Sequence, residues 1–131
     1  MKLRRGTASD IPVLNAIALE AKAYWGYASM QLDLWRKDLS VDETTLPERP
    51  VCIAEQRGKP IGFVQVATDT LPWKIWGMWV LPANMRTGVG TALLSWAQEL
   101  AAAACQTELA IDADPNAEQF YLARGAERVG A

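Results

Sequence analysis

Histidine is absent from the 131 residues of this chain. Its absence excludes a Ser-His-Asp triad, a Cys-His pair and every zinc site that uses imidazole. The two cysteines, Cys52 and Cys105, lie far apart and belong to no CxxC motif, so neither a disulfide framework nor a thiol redox site is expected. Proton transfer must therefore proceed without imidazole, and we expect no metal site.

A charge excess and long hydrophobic runs are also missing. Thirteen Lys and Arg residues against fifteen Asp and Glu give a net charge of -2, which creates no overall attraction for nucleic acid or an anionic bilayer. No apolar run reaches bilayer length, and no signal-type segment follows the basic residues at the N-terminus. Half of the residues are apolar, as in globular domains. We therefore expect one cytoplasmic domain over residues 1–131, without a nucleic-acid or membrane partner.

Apolar spacing and turn residues predict a mixed α/β order. The segment from Val89 to Leu100 has the most regular helical periodicity, whereas the run from Trp73 to Leu81 is typical of a central strand. Strands are predicted at Lys2–Arg5, Val51–Glu55, Ile61–Ala67, Trp73–Leu81, Thr107–Ala113 and Glu127–Gly130, and helices at Ile11–Trp25, Ser29–Leu39, Gly88–Cys105 and Asn116–Arg124.

The segment Met85–Thr91 connects the predicted central strand to the long helix. Gly88 and Gly90 allow backbone N–H groups to approach a ligand, the helix N-terminus adds partial positive charge, and Arg86 can pair with an anion. The segment lacks the Gly-Lys-Ser/Thr of a P-loop and the third glycine of a dinucleotide fingerprint. It predicts a diphosphate-binding loop, and the alternative interpretation is ordinary turn geometry.

This loop resembles that of the GNAT superfamily of N-acetyltransferases, in which a Q/R-x-x-G-x-G/A motif precedes a helix and holds the pyrophosphate of acetyl-CoA. The chain reads Met85-Arg86-Thr87-Gly88-Val89-Gly90 there, and two further segments match, Met78-Trp79-Val80-Leu81-Pro82 and Asp114 to Tyr121. The resemblance covers essentially the whole chain. It implies a single α+β domain with a twisted mixed sheet of about six strands and about four helices, split between the strands Trp73–Leu81 and Thr107–Ala113, where acetyl-CoA enters.

The resemblance also implies roles for individual residues. Acetyl-CoA would be the co-substrate of direct acetyl transfer to an amine, with the Val80 N–H as oxyanion donor and Tyr121 as proton donor to the departing thiolate. A side chain in Gly90→Glu would block binding and leave the fold intact. The residues implied to bind acetyl-CoA are Trp79, Val80, Leu81, Arg86, Thr87, Gly88, Val89, Gly90, Thr91, Asn116 and Phe120.

Two departures from the family pattern keep alternatives open. Met85 replaces the first Gln or Arg of the loop, and the positions Lys74, Ile75, Trp76 and Gly77 offer no carboxylate as general base. A catalytically weak acyl-CoA sensor or interaction module is therefore one alternative, and a simple anion-binding domain is another. By themselves, Tyr121 could be a packing residue and Asn116 an N-cap.

The acceptor is expected to be a small-molecule or peptide N-terminal amine. Without a strong base, an amine with a low pKa is favoured because more of it is neutral at physiological pH. In an unbulged strand, Trp73 and Trp79 would share one face and Trp76 would take the other. A partner subunit is expected to complete the sheet edge in a homodimer. The candidate acceptor residues are Glu20, Tyr24, Trp25, Tyr27 and Trp76.

Overall fold

The structure, a computed structural model, describes residues 1–24, 41–111 and 118–127. The predicted helix Ser29–Leu39 and most of the predicted strand Glu127–Gly130 lie outside these residues. The mixed α+β class is confirmed. The described elements are β1 (Lys2–Arg5), α1 (Ile11–Tyr24), β2 (Val51–Gln56), β3 (Lys59–Ala67), β4 (Trp73–Val80), α2 (Val89–Ala103), β5 (Leu109–Ile111) and α3 (Glu118–Ala123), with short 3₁₀ helices at Ala8–Asp10, Glu43–Thr45 and Pro82–Asn84.

The five described strands form one sheet in the order β1-β2-β3-β4-β5. The pairs β1–β2, β2–β3 and β3–β4 are antiparallel, and β5 runs parallel to β4. The predicted hairpin is confirmed, with Arg57 and Gly58 at its turn. Both have positive φ angles, of 54° and 76°, as the tightest hairpin turns require. Because this turn needs two residues, β3 begins at Lys59, two residues earlier than expected.

Two hydrophobic clusters lie on opposite faces of the sheet. The α1 cluster contains Leu14 and Ile17 of the helix with Val51, Ile53 and Phe63 of the sheet. On the other face, α2 contributes its apolar stripe to a larger cluster. The α2 cluster includes Val89, Leu93, Leu94 and Ala97 of that helix, Cys52, Val64, Val66 and Ile75 of the sheet, and Tyr121 of α3.

The described helices include none long and apolar enough to cross a membrane.

A bulge in β4 changes the direction of its tryptophans. Val66 pairs with Ile75 and Gln65 with Gly77, so Trp76 is an extra residue on β4. Trp73 packs against the α2 cluster and Trp79 against the α1 cluster. The condition of an unbulged strand is therefore not met, and Trp73 and Trp79 lie on opposite faces because the inserted residue reverses the alternation between them.

Candidate active site

The loop between β4 and α2 has an open backbone surface at its glycine. Gly88 has φ of 90°, and a Cβ added to it would meet nothing within 4 Å. The Thr87 hydroxyl donates to the carbonyl of Asn84 over 2.5 Å, and Arg86 beside it is exposed with φ of 63°. The first bond of α2 runs from the Ala92 N–H to the Gly88 carbonyl over 3.1 Å. The preceding N–H groups of α2 have no acceptor within the helix, and this donor set fits a diphosphate.

At position 90, glycine is required for a different reason, which is the lack of space for a side chain. A Cβ added there would lie 3.0 Å from Cζ and 3.1 Å from Cε1 of Phe120, so the ring packs directly on the first turn of α2. Any side chain at this position requires Phe120 to move. The expectation that Gly90→Glu leaves the fold intact therefore needs correction, because that substitution disturbs the contact between α2 and α3 as well as the loop.

One edge of β4 remains open beyond its contact with β5. The parallel pairing involves Trp73, Lys74 and Ile75 of β4, and residues 77–80 pair with β3 alone within the described chain. The Leu81 N–H donates to the Ile61 carbonyl of β3 over 2.8 Å, and the Leu81 carbonyl accepts from the Asn84 N–H over 2.8 Å.

The alternating direction of the backbone N–H groups along β4 determines which of them faces this open edge. Because successive N–H groups of a strand point to opposite edges, the N–H of Val80 points away from β3. The Trp79 N–H points toward β3, as the Leu81 N–H does. Of the segment Trp79–Leu81, Val80 is thus the residue whose N–H faces the open edge.

Tyr121 lies on α3 with only 7 % of its surface exposed. Its ring belongs to the α2 cluster and meets the ring of Phe120 edge to face, with centroids 5.2 Å apart. Burial raises the pKa of the Tyr121 phenol to about 12, because the charged phenolate loses solvation. At neutral pH the hydroxyl is therefore protonated and is able to donate a hydrogen bond.

Trp76 lines a cleft of about 820 Å³ on the α1 face. The bulge turns this side chain outward, and 44 % of its surface is exposed. The Arg49 guanidinium stacks 3.8 Å from the centre of the indole ring, and the Lys74 ammonium lies 5.5 Å from it. Asp69 holds Arg49 in place through two contacts of 3.3 Å. The cleft is also lined by Ala8, Ile11, Pro12, Val41, Asp42, Glu43, Thr45 and Gln65.

The other predicted acceptor residues do not join this cleft in the described chain. Tyr24 is exposed at the end of α1, and Glu20 is exposed on the same helix. Neither lines the cleft around Trp76. Trp25 and Tyr27, like the predicted acetyl-CoA ligand Asn116, lie outside the described residues.

A contact between α2 and α3 involves a residue that sequence reasoning missed. Arg124 follows α3 and reaches Thr91 in the first turn of α2. Its basic charge beside Gly125 indicates only the end of a helix. No sequence signal pairs it with a residue 33 positions earlier.

Comparison with known proteins identifies the family. The model of the Acetyltransferase (GNAT) domain matches residues 47–125. The chain belongs to this family of acetyltransferases. The resemblance carried by the loop and strand motifs is thereby confirmed.

Individual relatives agree with this assignment. The chain is 26% identical over 98 residues to the peptidyl-lysine N-acetyltransferase YiaC of Escherichia coli (strain K12). The matched segment covers 74% of this chain and 64% of that protein. A GCN5-related N-acetyltransferase from Rhodopseudomonas palustris matches with a TM-score of 0.80 and 27% identity, covering 95% of this chain and 79% of that one. The PaiA N-acetyltransferase of Thermoplasma acidophilum, solved with coenzyme A, matches with a TM-score of 0.80 and 16% identity over 95% and 89% of the two chains.

Proposed function

We propose that this protein transfers an acetyl group from acetyl-CoA to the amine of a small molecule or a peptide N-terminus. The observation that carries the proposal is the placement of three features around one helix end. The loop at Gly88 opens at the N-terminus of α2, the open edge of β4 leads into that loop, and α3 with Tyr121 packs against the same helix.

Each feature has a defined part in the reaction. The N–H groups of α2, aided by Arg86, hold the pyrophosphate. Acetyl-CoA supplies the activated acetyl thioester. The Val80 N–H stabilises negative charge that develops on the thioester carbonyl oxygen, a contribution of about 3 kcal/mol for one well-placed donor. The Tyr121 hydroxyl donates a hydrogen bond to the departing sulfur.

The acceptor amine must arrive neutral because β4 supplies no general base. An alkyl amine with a pKa of about 10.4 is neutral in roughly one molecule per thousand at pH 7.4, whereas an α-amine of about 7.8 is neutral in roughly a quarter. This difference in the neutral fraction favours an α-amine.

Release of free thiol from acetyl-CoA across a panel of amines tests the proposal. The panel contains amino acid α-amines, peptides with a free N-terminus, polyamines, and a peptide that has a blocked N-terminus and one lysine. We expect turnover with α-amines at neutral pH and little with the alkyl amines. Efficient acetylation of the lysine peptide, the activity named for the relative YiaC, would instead require a general base that β4 does not supply.

Binding without turnover is the second candidate function. It is favoured by the lack of a carboxylate at positions 74–77 of β4, where a general base would stand. Stabilisation of the protein by acetyl-CoA in a thermal shift assay, with no thiol released for any amine, would support a sensor or interaction module. Dependence of thiol release on Tyr121 would exclude that alternative.

We also propose a cytoplasmic homodimer, in which a partner subunit extends the sheet. Within the described residues, β5 forms one edge of the sheet and pairs with β4 alone. An open edge presents unpaired N–H and carbonyl groups to a second chain. Light scattering at micromolar concentration tests the dimer, and a monomeric mass would count against it.

A further inference from the structure

Arg124 joins the two helices that carry the candidate site. Its Nε donates to the Thr91 hydroxyl of α2 over 2.8 Å, and its Nη1 donates to the Phe120 carbonyl of α3 over 3.0 Å. The guanidinium carbon also lies 3.9 Å from the centre of the Phe120 ring. Because the guanidinium is planar and rigid, these contacts fix the relative position of the two groups.

The helix that Arg124 anchors cannot hold its own position. α3 has six residues, well below the length at which an isolated helix is stable in water. Its placement therefore depends on contacts with α2, and these include the packing of Phe120 on Gly90. The same helix carries Tyr121, so an error in its placement moves the phenol hydroxyl.

Hydrogen bonds, and not electrostatic attraction, hold Arg124 at the first turn of α2. The N-terminus of a helix carries partial positive charge, which disfavours a cation. The first turn of α2 has no acidic residue to offset this charge. Geometry rather than charge therefore accounts for the position of the guanidinium.

We propose that Arg124 is a positioning residue, which fixes α3 against the first turn of α2 and thereby sets the place of the Tyr121 hydroxyl. The proposal rests on the proposed acetyl transfer. It predicts that loss of Arg124 slows the chemical step more than it weakens acetyl-CoA binding, because the donors that hold the pyrophosphate belong to α2.

Three variants separate positioning from charge. Arg124→Met keeps a long side chain without its donors, Arg124→Lys keeps the charge without the planar fork, and Thr91→Val removes the hydroxyl acceptor alone. Lys2→Met on β1, at the opposite edge of the sheet, is the matched control for one lost positive charge. Circular dichroism checks that each variant folds. If Arg124→Met fails to fold, Thr91→Val still tests the contact.

Steady-state kinetics with acetyl-CoA and with acetyl-pantetheine, which lacks the phosphates, provide the first measurement. We expect Arg124→Met and Arg124→Lys to lower kcat about tenfold or more with both donors, since a misplacement near 1 Å can cost a hundredfold. Their KM for acetyl-CoA should change less than threefold. Full activity in Arg124→Lys, or a loss confined to acetyl-CoA, would overturn the proposal in favour of direct attraction of the phosphates.

Hydrogen exchange supplies a second measurement that needs no activity. The amides of Arg124 and Ala126 both donate to the Tyr121 carbonyl, and their exchange reports the docking of α3. We expect faster exchange over residues 118–126 in Arg124→Met and Thr91→Val, with α2 unchanged in its centre. Unchanged exchange would overturn the anchoring role. If the wild-type protein acetylates nothing, this measurement still decides whether Arg124 anchors α3, while the proposed function fails separately.

Discussion

Tyr121 illustrates how burial decides the chemistry of one side chain. A lowered phenol pKa would ease full proton transfer to a thiolate, but burial raises this pKa to about 12. Against a thiol of about 8.5, complete transfer is uphill by roughly 3.5 units, or about 5 kcal/mol. The Tyr121 hydroxyl is therefore suited to donate a hydrogen bond to the departing sulfur and unsuited to be an acid that ionises.

The first prediction concerns this hydroxyl. Tyr121→Phe keeps the packed ring and removes the donor, so kcat should fall about a hundredfold while the acetyl-CoA dissociation constant changes less than threefold. Kinetics and calorimetry on the same preparation make the comparison. An equal loss in both quantities, or no loss in turnover, would make Tyr121 a packing residue.

The second prediction separates two glycines that serve different purposes. Gly88 needs its positive φ, whereas Gly90 needs space for Phe120. Gly90→Ala should lower the free energy of unfolding by about 1 to 2 kcal/mol through crowding of the ring, and Phe120→Leu in the same chain should recover part of the loss. Chemical denaturation of the single and double variants measures this coupling. Additive losses would show that the two positions do not interact.

At the level of the elements, the junction of β1 and α1 depends on one ion pair. Arg4 contacts Asp10 through bonds of 2.8 and 3.0 Å and also reaches Glu55 at 3.0 Å. The same Asp10 carboxylate accepts from the Thr7 N–H over 2.8 Å at the start of the helical segment. The bond from Arg4 is the main reason that the pKa of Asp10 is lowered to about 2.

The third prediction follows from that lowered pKa. A carboxyl group with a depressed folded-state pKa stabilises the fold above its unfolded value and loses this contribution as the pH falls through the folded value. Asp10→Asn should therefore cost about 1 to 2 kcal/mol at pH 7, less than the full shift because Arg4 is partly exposed. Near pH 2 most of the difference should be lost, because the carboxyl of the folded protein is then about half protonated. Urea denaturation at both pH values checks this, and a constant difference would contradict it.

The bulge in β4 is the second feature that operates at this level. It places Trp76 in the cleft of the α1 face while Ile75 stays buried in the α2 cluster. The indole is then covered in part by Arg49 of the segment before β2. Asp69 pairs with that guanidinium, and Asp42 and Glu43 line the same cleft, so the ring lies among charges of both signs.

For the whole molecule, two buried acids limit stability at high pH. Burial raises the pKa of the Cys52 thiol to about 11 and that of the Tyr121 phenol to about 12. An acid whose folded-state pKa is raised stabilises the fold below its unfolded value, and this contribution is lost as the pH rises through the folded value. For these groups the losses fall between about pH 9 and 12.

The fourth prediction is the size and origin of this alkaline loss. Each group should lower the free energy of unfolding by about 2 to 3 kcal/mol, a large share of a typical domain's stability. Denaturation at pH 9, 10, 11 and 12 measures the decline. Tyr121→Phe should flatten the part between pH 11 and 12, lessen the slope between pH 10 and 11, where both groups titrate, and leave the part between pH 9 and 10, where Cys52 titrates. An identical decline in both proteins would remove Tyr121 as a cause.

The sequence alone determined the strands β1 to β4, the long helix α2, the glycine loop before it and the family. These features depend on spacing within a few residues, which local backbone physics converts directly into structure. Tertiary structure decided the bulge at Trp76, the packing of Phe120 on Gly90 and the bond from Arg124 to Thr91. Each of these depends on strand register or on the docking of distant elements, so no local pattern encodes it.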